Sequence, residues 1–147
     1  MPGKSDIFEL DVLKLIFNGT AISNIADNAV TSPLTNLYVS LHTADPTDSG
    51  SQSSSEANYT GYARVAVART SGSWTCTTVS GVTTVKPAAA ITFPAATGGS
   101  STVTHFAIGT AATGTGKILY AGTCSPSITI VNGITPQLTT ATTITED

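Results

Sequence analysis

Charged residues are scarce in this chain. They make up 10% of its 147 residues, whereas soluble domains typically carry about 25%. Between positions 70 and 145 the only charged side chains are those of Lys86 and Lys117. The net charge of −3 supplies no basic patch, which disfavours binding to nucleic acid. A surface this poor in charge does little to keep copies apart, so we expect a homo-oligomer whose strands pack against other subunits.

Long apolar runs are missing as well. No stretch reaches the roughly 18 apolar residues that a membrane span needs. The apolar stretch 7–17 is interrupted by Glu9, Asp11 and Lys14, which is unlike the uniform core of a signal peptide. We therefore expect no membrane association and synthesis in the cytoplasm.

Residue types that support catalysis are few. The only histidines are His42 and His105, and no Gly-x-Ser-x-Gly nucleophile elbow occurs. The only cysteines are Cys76 and Cys124; a reducing compartment favours two buried thiols, although a disulfide between neighbouring strands stays open. The sequence predicts no enzyme, no catalytic residue and no cofactor.

One glycine-rich segment invites comparison with a phosphate-binding loop. Residues 114–117 read Gly-Thr-Gly-Lys, but that motif also requires glycine at the position of Ala111 and Ser or Thr at that of Ile118. The segment instead predicts a hairpin turn.

Two carboxylates follow the first predicted strand. With His42, Asp45 and Asp48 make a metal site conceivable, but such a cluster at a strand end is more typical of a solvated turn. Asp45 and Asp48 with Glu56 could also supply a carboxylate pair for hydrolysis, but that chemistry needs a rigid setting, which a mobile loop does not provide. We predict no metal site. Because His42 alternates with Leu41, we expect its side chain at the surface or in an interface.

Short alternating segments rich in threonine, serine, alanine and glycine dominate the rest of the chain. Leu37, Val39 and Leu41 show the two-residue period of a half-buried strand, and the branched β-carbon of threonine suits a pleated surface. Turn residues recur roughly every 8 to 12 positions, as in a sandwich or barrel. The pattern predicts an all-β fold, an antiparallel β-sandwich of about eight or nine strands, within residues 36–42, 61–69, 74–80, 82–86, 89–93, 102–109, 117–123, 127–131 and 137–145.

A single helix is predicted before these strands. Leu10, Leu13 and Phe17 form an apolar stripe at helical spacing, and Asn18-Gly19 is a typical helix stop. So short a helix must dock on the sandwich or on a neighbouring subunit. We therefore predict partner contacts for Leu10, Leu13 and Phe17. The predicted organisation is one domain over 1–147, with the helix and a connecting arm in 1–35 and the sandwich in 36–147.

The chain's only arginines are Arg64 and Arg69. Being five apart on a strand, they should point to opposite faces. One interpretation is an ion pair with a neighbouring subunit, involving Asp45, Asp48 or Glu56. The equal alternative is a solvated strand or a pair inside the subunit. Within loop 45–60, the serine-rich run 51–55 has nothing to bury and should be mobile.

Two groups of aromatic residues are candidate binding surfaces. Trp74, the only tryptophan, favours core packing over an exposed anchor. Tyr59 and Tyr62, beside Asn58 and Glu56, form a candidate contact for a glycan.

Five motifs occur in an order that resembles a known family. They read Leu-Tyr-Val-Ser-Leu-His-Thr-Ala-Asp-Pro at 37–46, Tyr-Thr-Gly-Tyr-Ala-Arg-Val-Ala-Val at 59–67, Ala-Ile-Thr-Phe-Pro-Ala-Ala-Thr-Gly at 90–98, Thr-Val-Thr-His-Phe-Ala-Ile at 102–108 and Gly-Lys-Ile-Leu-Tyr-Ala-Gly at 116–122. Together they resemble small structural proteins of tailed bacteriophages that often carry the label "tail fibre protein". The likeness covers roughly residues 8 to 140.

The resemblance implies a non-enzymatic component of the virion, made in the bacterial host cytoplasm, with a jelly-roll-like β-sandwich. It leaves open a neck or collar protein, a capsid decoration protein and a tail-fibre component. The partners it implies are other virion proteins: portal or connector, capsid or tail proteins. The alternative is a receptor- or carbohydrate-binding module of a tail fibre.

Overall fold

The computed structural model describes residues 6–21 and 34–146. Within these ranges the chain forms one short α-helix, a π-helical turn and nine strands. Their bounds are α1 (Asp6–Leu13), the π-helical turn (Lys14–Asn18), β1 (Asn36–His42), β2 (Val65–Ala68), β3 (Trp74–Val79), β4 (Val82–Pro87), β5 (Ile91–Thr92), β6 (Ser100–Gly109), β7 (Ile118–Val131), β8 (Gln137–Leu138) and β9 (Ile144–Glu146). The predicted all-β class, with antiparallel sheets and one short N-terminal helix, is confirmed, and the arrangement is consistent with a β-sandwich. None of the helical segments in the described ranges is long and apolar enough to cross a membrane.

The chain divides into two compact units. The first comprises 1–35, 68–90 and 139–147, and the second comprises 36–67 and 91–138. The single domain predicted over 1–147 stays a prediction.

The first unit is built on a three-stranded antiparallel sheet in the order β3-β4-β9. Ser80 and Gly81 connect β3 to β4 with positive φ angles of 51° and 79°, and Val79 pairs with Val82 across the turn. Two successive residues with positive φ give the turn twist that matches two paired strands. The predicted hairpin at Ser80-Gly81 is therefore confirmed.

The helix of the first unit packs on this sheet. After α1 the chain continues through the π-helical turn. The helical segment ends at Gly19, whose φ of 66° is left-handed, as the Asn-Gly pair predicts. Leu13 and Phe17 are 0% exposed. Phe17 meets the edge of Trp74 with ring centroids 4.8 Å apart, and Trp74 is 1% exposed. Core packing of Trp74 is thus confirmed.

The second unit contains a four-stranded sheet in the order β2-β1-β6-β7 and a two-stranded sheet of β5 and β8. β1 and β6 are the inner strands of the larger sheet and supply most of its core, because alternate apolar residues on each point to the same side. The buried apolar residues of this unit are Leu37, Val39, Leu41, Ala57, Tyr59, Ile91, Phe93, Ala96, Val103, Phe106, Ala107, Ile108, Ile130 and Leu138.

Two predicted strand boundaries were wrong. Segments 117–123 and 127–131 form the single strand β7, because β6 is long enough to pair with both. The register breaks between the pairs Val103–Ile128 and His105–Thr123, so residues 124–127 bulge out of the ladder where Ser-Pro was expected to end a strand.

The predicted strand 137–145 is instead two short strands, β8 and β9, which lie in different units. β8 pairs with β5, whereas β9 pairs with β4. The residues between them include a turn in which the Thr142 amide donates to the Thr139 carbonyl over 3.0 Å.

Two predictions were wrong: that His42 lies at the surface or in an interface, and that the run 51–55 has nothing to bury. His42 and Gln52 are both 0% exposed. The loop folds back over the polar face of β1: Thr43 donates to the Ser55 carbonyl, and the Ala57 amide donates to the Leu41 carbonyl, each over 2.8 Å. β1 is therefore covered on both faces, a non-local outcome that strand alternation does not reveal.

Candidate functional site

Glu56, in that loop of the second unit, forms a partly buried ion pair with Arg64. Arg64 Nε donates to Glu56 Oε1 over 2.7 Å, and Arg64 Nη2 donates to Glu56 Oε2 over 2.8 Å. The Arg64 side chain is 3% exposed and that of Glu56 is 18% exposed. Two parallel hydrogen bonds of this kind fix the relative orientation of the two side chains and strengthen their interaction. They also raise the pKa of the Arg64 guanidinium. Of the alternatives for Arg64, the structure contains the ion pair inside the subunit.

The same guanidinium holds the connection between β6 and β7. Arg64 Nη1 donates to the Ala111 carbonyl over 2.9 Å, and Nη2 donates to the Gly114 carbonyl over 2.7 Å. The connection runs from the end of β6 to the start of β7 as a hairpin, because Gly109 pairs with Ile118. The hairpin predicted at 114–117 is confirmed.

Tyr62 completes what we call the Glu56 network, consisting of Glu56, Tyr62 and Arg64. The Tyr62 hydroxyl donates to Glu56 Oε1 over 2.8 Å and accepts from the Leu41 amide over 3.1 Å. Burial raises the pKa of Tyr62 far above its usual value. The network is thus neutral overall, and every charged group in it has a partner.

Gln52 joins the serine-rich loop to the β6–β7 connection. Its Nε2 donates to the Tyr38 carbonyl over 2.9 Å, and its Oε1 accepts from the Ala111 amide over 3.0 Å. A Cβ atom at either Gly109 or Gly116 would overlap the Gln52 side chain. Glycine at these two positions therefore makes room for the buried amide.

His42 and Ser40 lie side by side under the loop. His42 Nδ1 is 2.7 Å from the Ser54 carbonyl, so this nitrogen must donate, and Nε2 is 2.9 Å from Ser40 Oγ. Burial lowers the pKa of His42. A hydroxyl beside an imidazole is the geometry of an activated nucleophile, but both residues are 0% exposed. No substrate reaches the pair, which acts as a buried structural contact.

A cleft of about 380 Å³ opens elsewhere on the second unit. We call it the edge cleft; it is lined by Asp45, Thr47, Asp48, His105 and the β7 segment 118–123. Asp45 Oδ1 accepts from the Thr47 amide over 2.8 Å, which shapes the rim. Within the described ranges no group of three or more His, Cys, Asp or Glu side chains is arranged to hold a metal ion, so His42, Asp45 and Asp48 do not converge.

Arg69, in the first unit, binds backbone carbonyls instead of a carboxylate. Its Nε donates to the Ile16 carbonyl over 2.6 Å, its Nη2 to the Leu15 carbonyl over 2.7 Å and its Nη1 to the Leu34 carbonyl over 2.6 Å. Carbonyls at a helix end lack partners of their own and attract cations. Arg69 therefore secures the end of the helix to the chain before β1.

The other predicted contact residues lie as follows. Leu10 is half-buried, while Leu13 and Phe17 are fully buried in the first unit. Tyr59 is 2% exposed, and its hydroxyl donates to the Pro94 carbonyl over 2.9 Å. The Tyr59 and Tyr62 rings meet edge to face at 5.4 Å. Contact of any of these residues with a partner or a glycan stays a prediction.

Both cysteines are free thiols. Cys76 and Cys124 are each half-buried and unpaired with another cysteine. Burial raises the pKa of both thiols above the usual value. Their low thiolate content at neutral pH makes them poor nucleophiles.

Sequence reasoning missed the role of Gln52 and the burial of His42. A glutamine among serines in 51–55 reads as a solvated loop, and only the glycines at 109 and 116, far away in sequence, hinted at a bulky neighbour. Contacts of this range have no local signal.

A comparison with protein families finds a match over most of the chain. The family model described as Podophage GP4 fiber I protein gp80 matches residues 3–145. No curated protein matches the chain.

Proposed function

The chain belongs to this family of podophage fibre proteins, and on that premise we propose that it is a structural, non-enzymatic subunit of the tail fibre. The proposal gives it copies of itself and other virion proteins as partners. The match over 3–145 carries the proposal, because it spans nearly the whole sequence rather than one motif. A neck, collar or capsid-decoration role is a different location for the same kind of protein.

The composition of the surface supports a structural role, in which the protein contacts other proteins. Threonine recurs at exposed strand positions, as at Thr77, Thr102 and Thr129, and the charged fraction is 10%. Such surfaces gain little from water-exposed ion pairs and suit packing against other strands.

The interior supports the same role. The Glu56 network and Gln52 hold loops 43–60 and 110–117 with hydrogen bonds to side chains and backbone. Loops fixed in this way present a surface of constant shape, which a permanent assembly requires.

The helix and the two arginines have defined places in this proposal. Leu13, Phe17 and Arg69 hold the helix within the first unit, and Arg64 holds loops of the second. Leu10, which is only half-buried, is the member of the predicted contact set that we expect to meet a partner directly.

Locating the protein in purified particles tests the proposal. Cryo-electron microscopy of particles with and without the gene should show a difference density at the tail fibres. Density at the neck with sixfold or twelvefold symmetry, or on the capsid shell, would replace the fibre location with one of the other two. Absence from washed particles would contradict a virion role altogether.

A further inference from the structure

Two buried side-chain atoms in the described ranges have no hydrogen-bond partner. They are Asn18 Oδ1 and Trp74 Nε1. The amide oxygen can only accept a hydrogen bond, and the indole N–H can only donate one. Buried polar groups in folded proteins are nearly always hydrogen-bonded, so each exception needs an explanation. Both residues belong to the first unit, which favours a single explanation for both atoms.

The two residues meet in one small cluster, where the end of the helical segment packs on β3. The rings of Phe17 and Trp74 lie edge to face with centroids 4.8 Å apart, and Asn18 directly follows Phe17. Cys76 lies two positions after Trp74 in β3, so these two side chains share one face of the sheet. The Asn18 side chain is hydrogen-bonded to Cys76. Asn18 is therefore held beside the same face of β3 that carries Trp74.

The bond to Cys76 uses only one end of the Asn18 amide. Because Oδ1 has no partner, the Nδ2 group must be the one that meets the thiol sulfur. The acceptor of Asn18 and the donor of Trp74 thus both stay unused, and they are not bonded directly to each other. A third group is needed to connect them.

The chemistry of the two atoms defines that group. It must accept a hydrogen bond from the indole N–H and donate one to the amide oxygen. An anion has no proton to donate, and a cation has no lone pair to accept one. Trp74 is 1% exposed, so a side chain of another protein does not reach it. Water meets both requirements, and buried waters typically make about three hydrogen bonds to polar groups that would otherwise have none.

We infer that one water molecule is bound inside the first unit, where it accepts a hydrogen bond from Trp74 Nε1 and donates one to Asn18 Oδ1. A water bridge is enthalpically nearly as favourable as a direct hydrogen bond. It joins the end of the helical segment to β3 and adds a polar link to the apolar contact made by Phe17. This inference concerns the first unit alone and does not depend on the proposed function.

NMR of the purified, ¹⁵N-labelled full chain tests the inference. Trp74 is the only tryptophan, so its indole N–H gives a single signal. We expect a cross-peak between this proton and water, with the sign of a water molecule that tumbles with the protein, and slow exchange of the indole proton with solvent. An indole proton without a cross-peak to water would overturn the inference.

Cys76→Ala excludes a relayed signal. The Cys76 thiol carries a proton that exchanges with solvent, and this proton could pass magnetisation from water to the indole. The variant removes it and leaves both atoms of the water bridge in place. The cross-peak should persist in Cys76→Ala; its disappearance would assign the signal to the thiol and would also overturn the inference.

Ultraviolet resonance Raman spectroscopy gives an independent measurement, because one indole band shifts when Nε1–H is hydrogen-bonded. Since Trp74 is the only tryptophan, the band reports on this residue alone. The wild-type protein should show the position of a hydrogen-bonded indole. A band at the position of a free N–H would overturn the inference without any variant.

Asn18→Leu removes the acceptor and puts an apolar side chain of similar size in its place. The matched control is Asn132→Leu, because Asn132 also precedes a glycine but is exposed. In Asn18→Leu the water cross-peak should be lost and the Raman band should shift to that of a free N–H, whereas Asn132→Leu should leave both unchanged. Wild-type signals in a folded Asn18→Leu protein would show that Trp74 has a different partner and would contradict the inference.

Discussion

The Glu56 carboxylate accepts hydrogen bonds from Arg64, whose side chain is 3% exposed, and from Tyr62, which is half-buried. Glu56→Ala leaves a cation and a hydroxyl without their acceptor. We expect it to lower the free energy of unfolding by about 3–5 kcal/mol, as breaking a buried pair usually does. Urea unfolding followed by circular dichroism measures this.

Asp48→Ala is the control for Glu56→Ala. It removes an exposed carboxylate from the same loop and should change the unfolding free energy by no more than about 0.5 kcal/mol. Equal effects of the two substitutions would show that the Glu56 network contributes little to stability.

His42 makes the stability of the second unit depend on pH. Burial lowers its pKa below the reference value of 6.5, so the unfolded chain binds a proton more readily than the folded one. Stability due to neutral His42 is therefore complete above pH 6.5 and is lost as the pH falls below it. The charged or titratable groups around it are Glu56, Arg64 and His105.

We expect the free energy of unfolding to decrease between pH 7.5 and pH 5, a range chosen to span roughly the titration of histidine, and His42→Gln to flatten this decrease. His105→Gln is the control, because His105 is half-buried and bonded to its neighbour Thr104. An NMR titration of the His42 ring reads its midpoint directly; a midpoint above 6.5 would contradict the argument.

At the scale of elements, the β3–β4 hairpin depends on a two-residue turn with one unfavourable residue. Ser80 adopts a φ of 51°, which asparagine tolerates better than serine. Ser80→Asn should raise the free energy of unfolding by about 0.5 kcal/mol. Thermal melting checks this, with Ser127→Asn in the β7 bulge as the control; a lower melting temperature for Ser80→Asn alone would contradict the turn geometry.

Elements specified by neighbouring residues were predictable from the sequence. The helix stop at Asn18-Gly19 and the turn at Ser80-Gly81 each require a left-handed backbone that few residue types adopt. The alternation of apolar and polar residues along β1 likewise predicted which face of the strand is apolar. These signals lie within a few positions of the feature they specify.

Elements specified by distant residues were not predictable. The continuity of β7 depends on the length of β6, and the burial of His42 depends on a loop that returns over β1. In the candidate site, charge alone identifies Arg64 and Glu56 as residues that could form ion pairs. The sequence does not determine whether they pair with each other or with a partner subunit. Gln52 gave no signal, because its three partners lie outside its own loop.

At the scale of the whole molecule, sparse charge sets how the protein should associate. With 10% charged residues and a net charge of −3, little long-range repulsion opposes contact between copies. We expect the purified protein to self-associate, and the association to change little with salt, because screening acts on charges and not on apolar or hydroxyl contacts. Sedimentation velocity measures both; a monomer at every concentration, or an assembly dissolved by salt, would contradict the expectation.

The position of Gln52 also has an evolutionary consequence. It joins two loops that are far apart in the chain, and its amide fits only because positions 109 and 116 lack side chains. An insertion or a bulkier residue in either loop would therefore survive selection only with a compensating change in the other. Among relatives, these two segments should covary in length and composition, and adaptation to a new host should alter other parts of the surface.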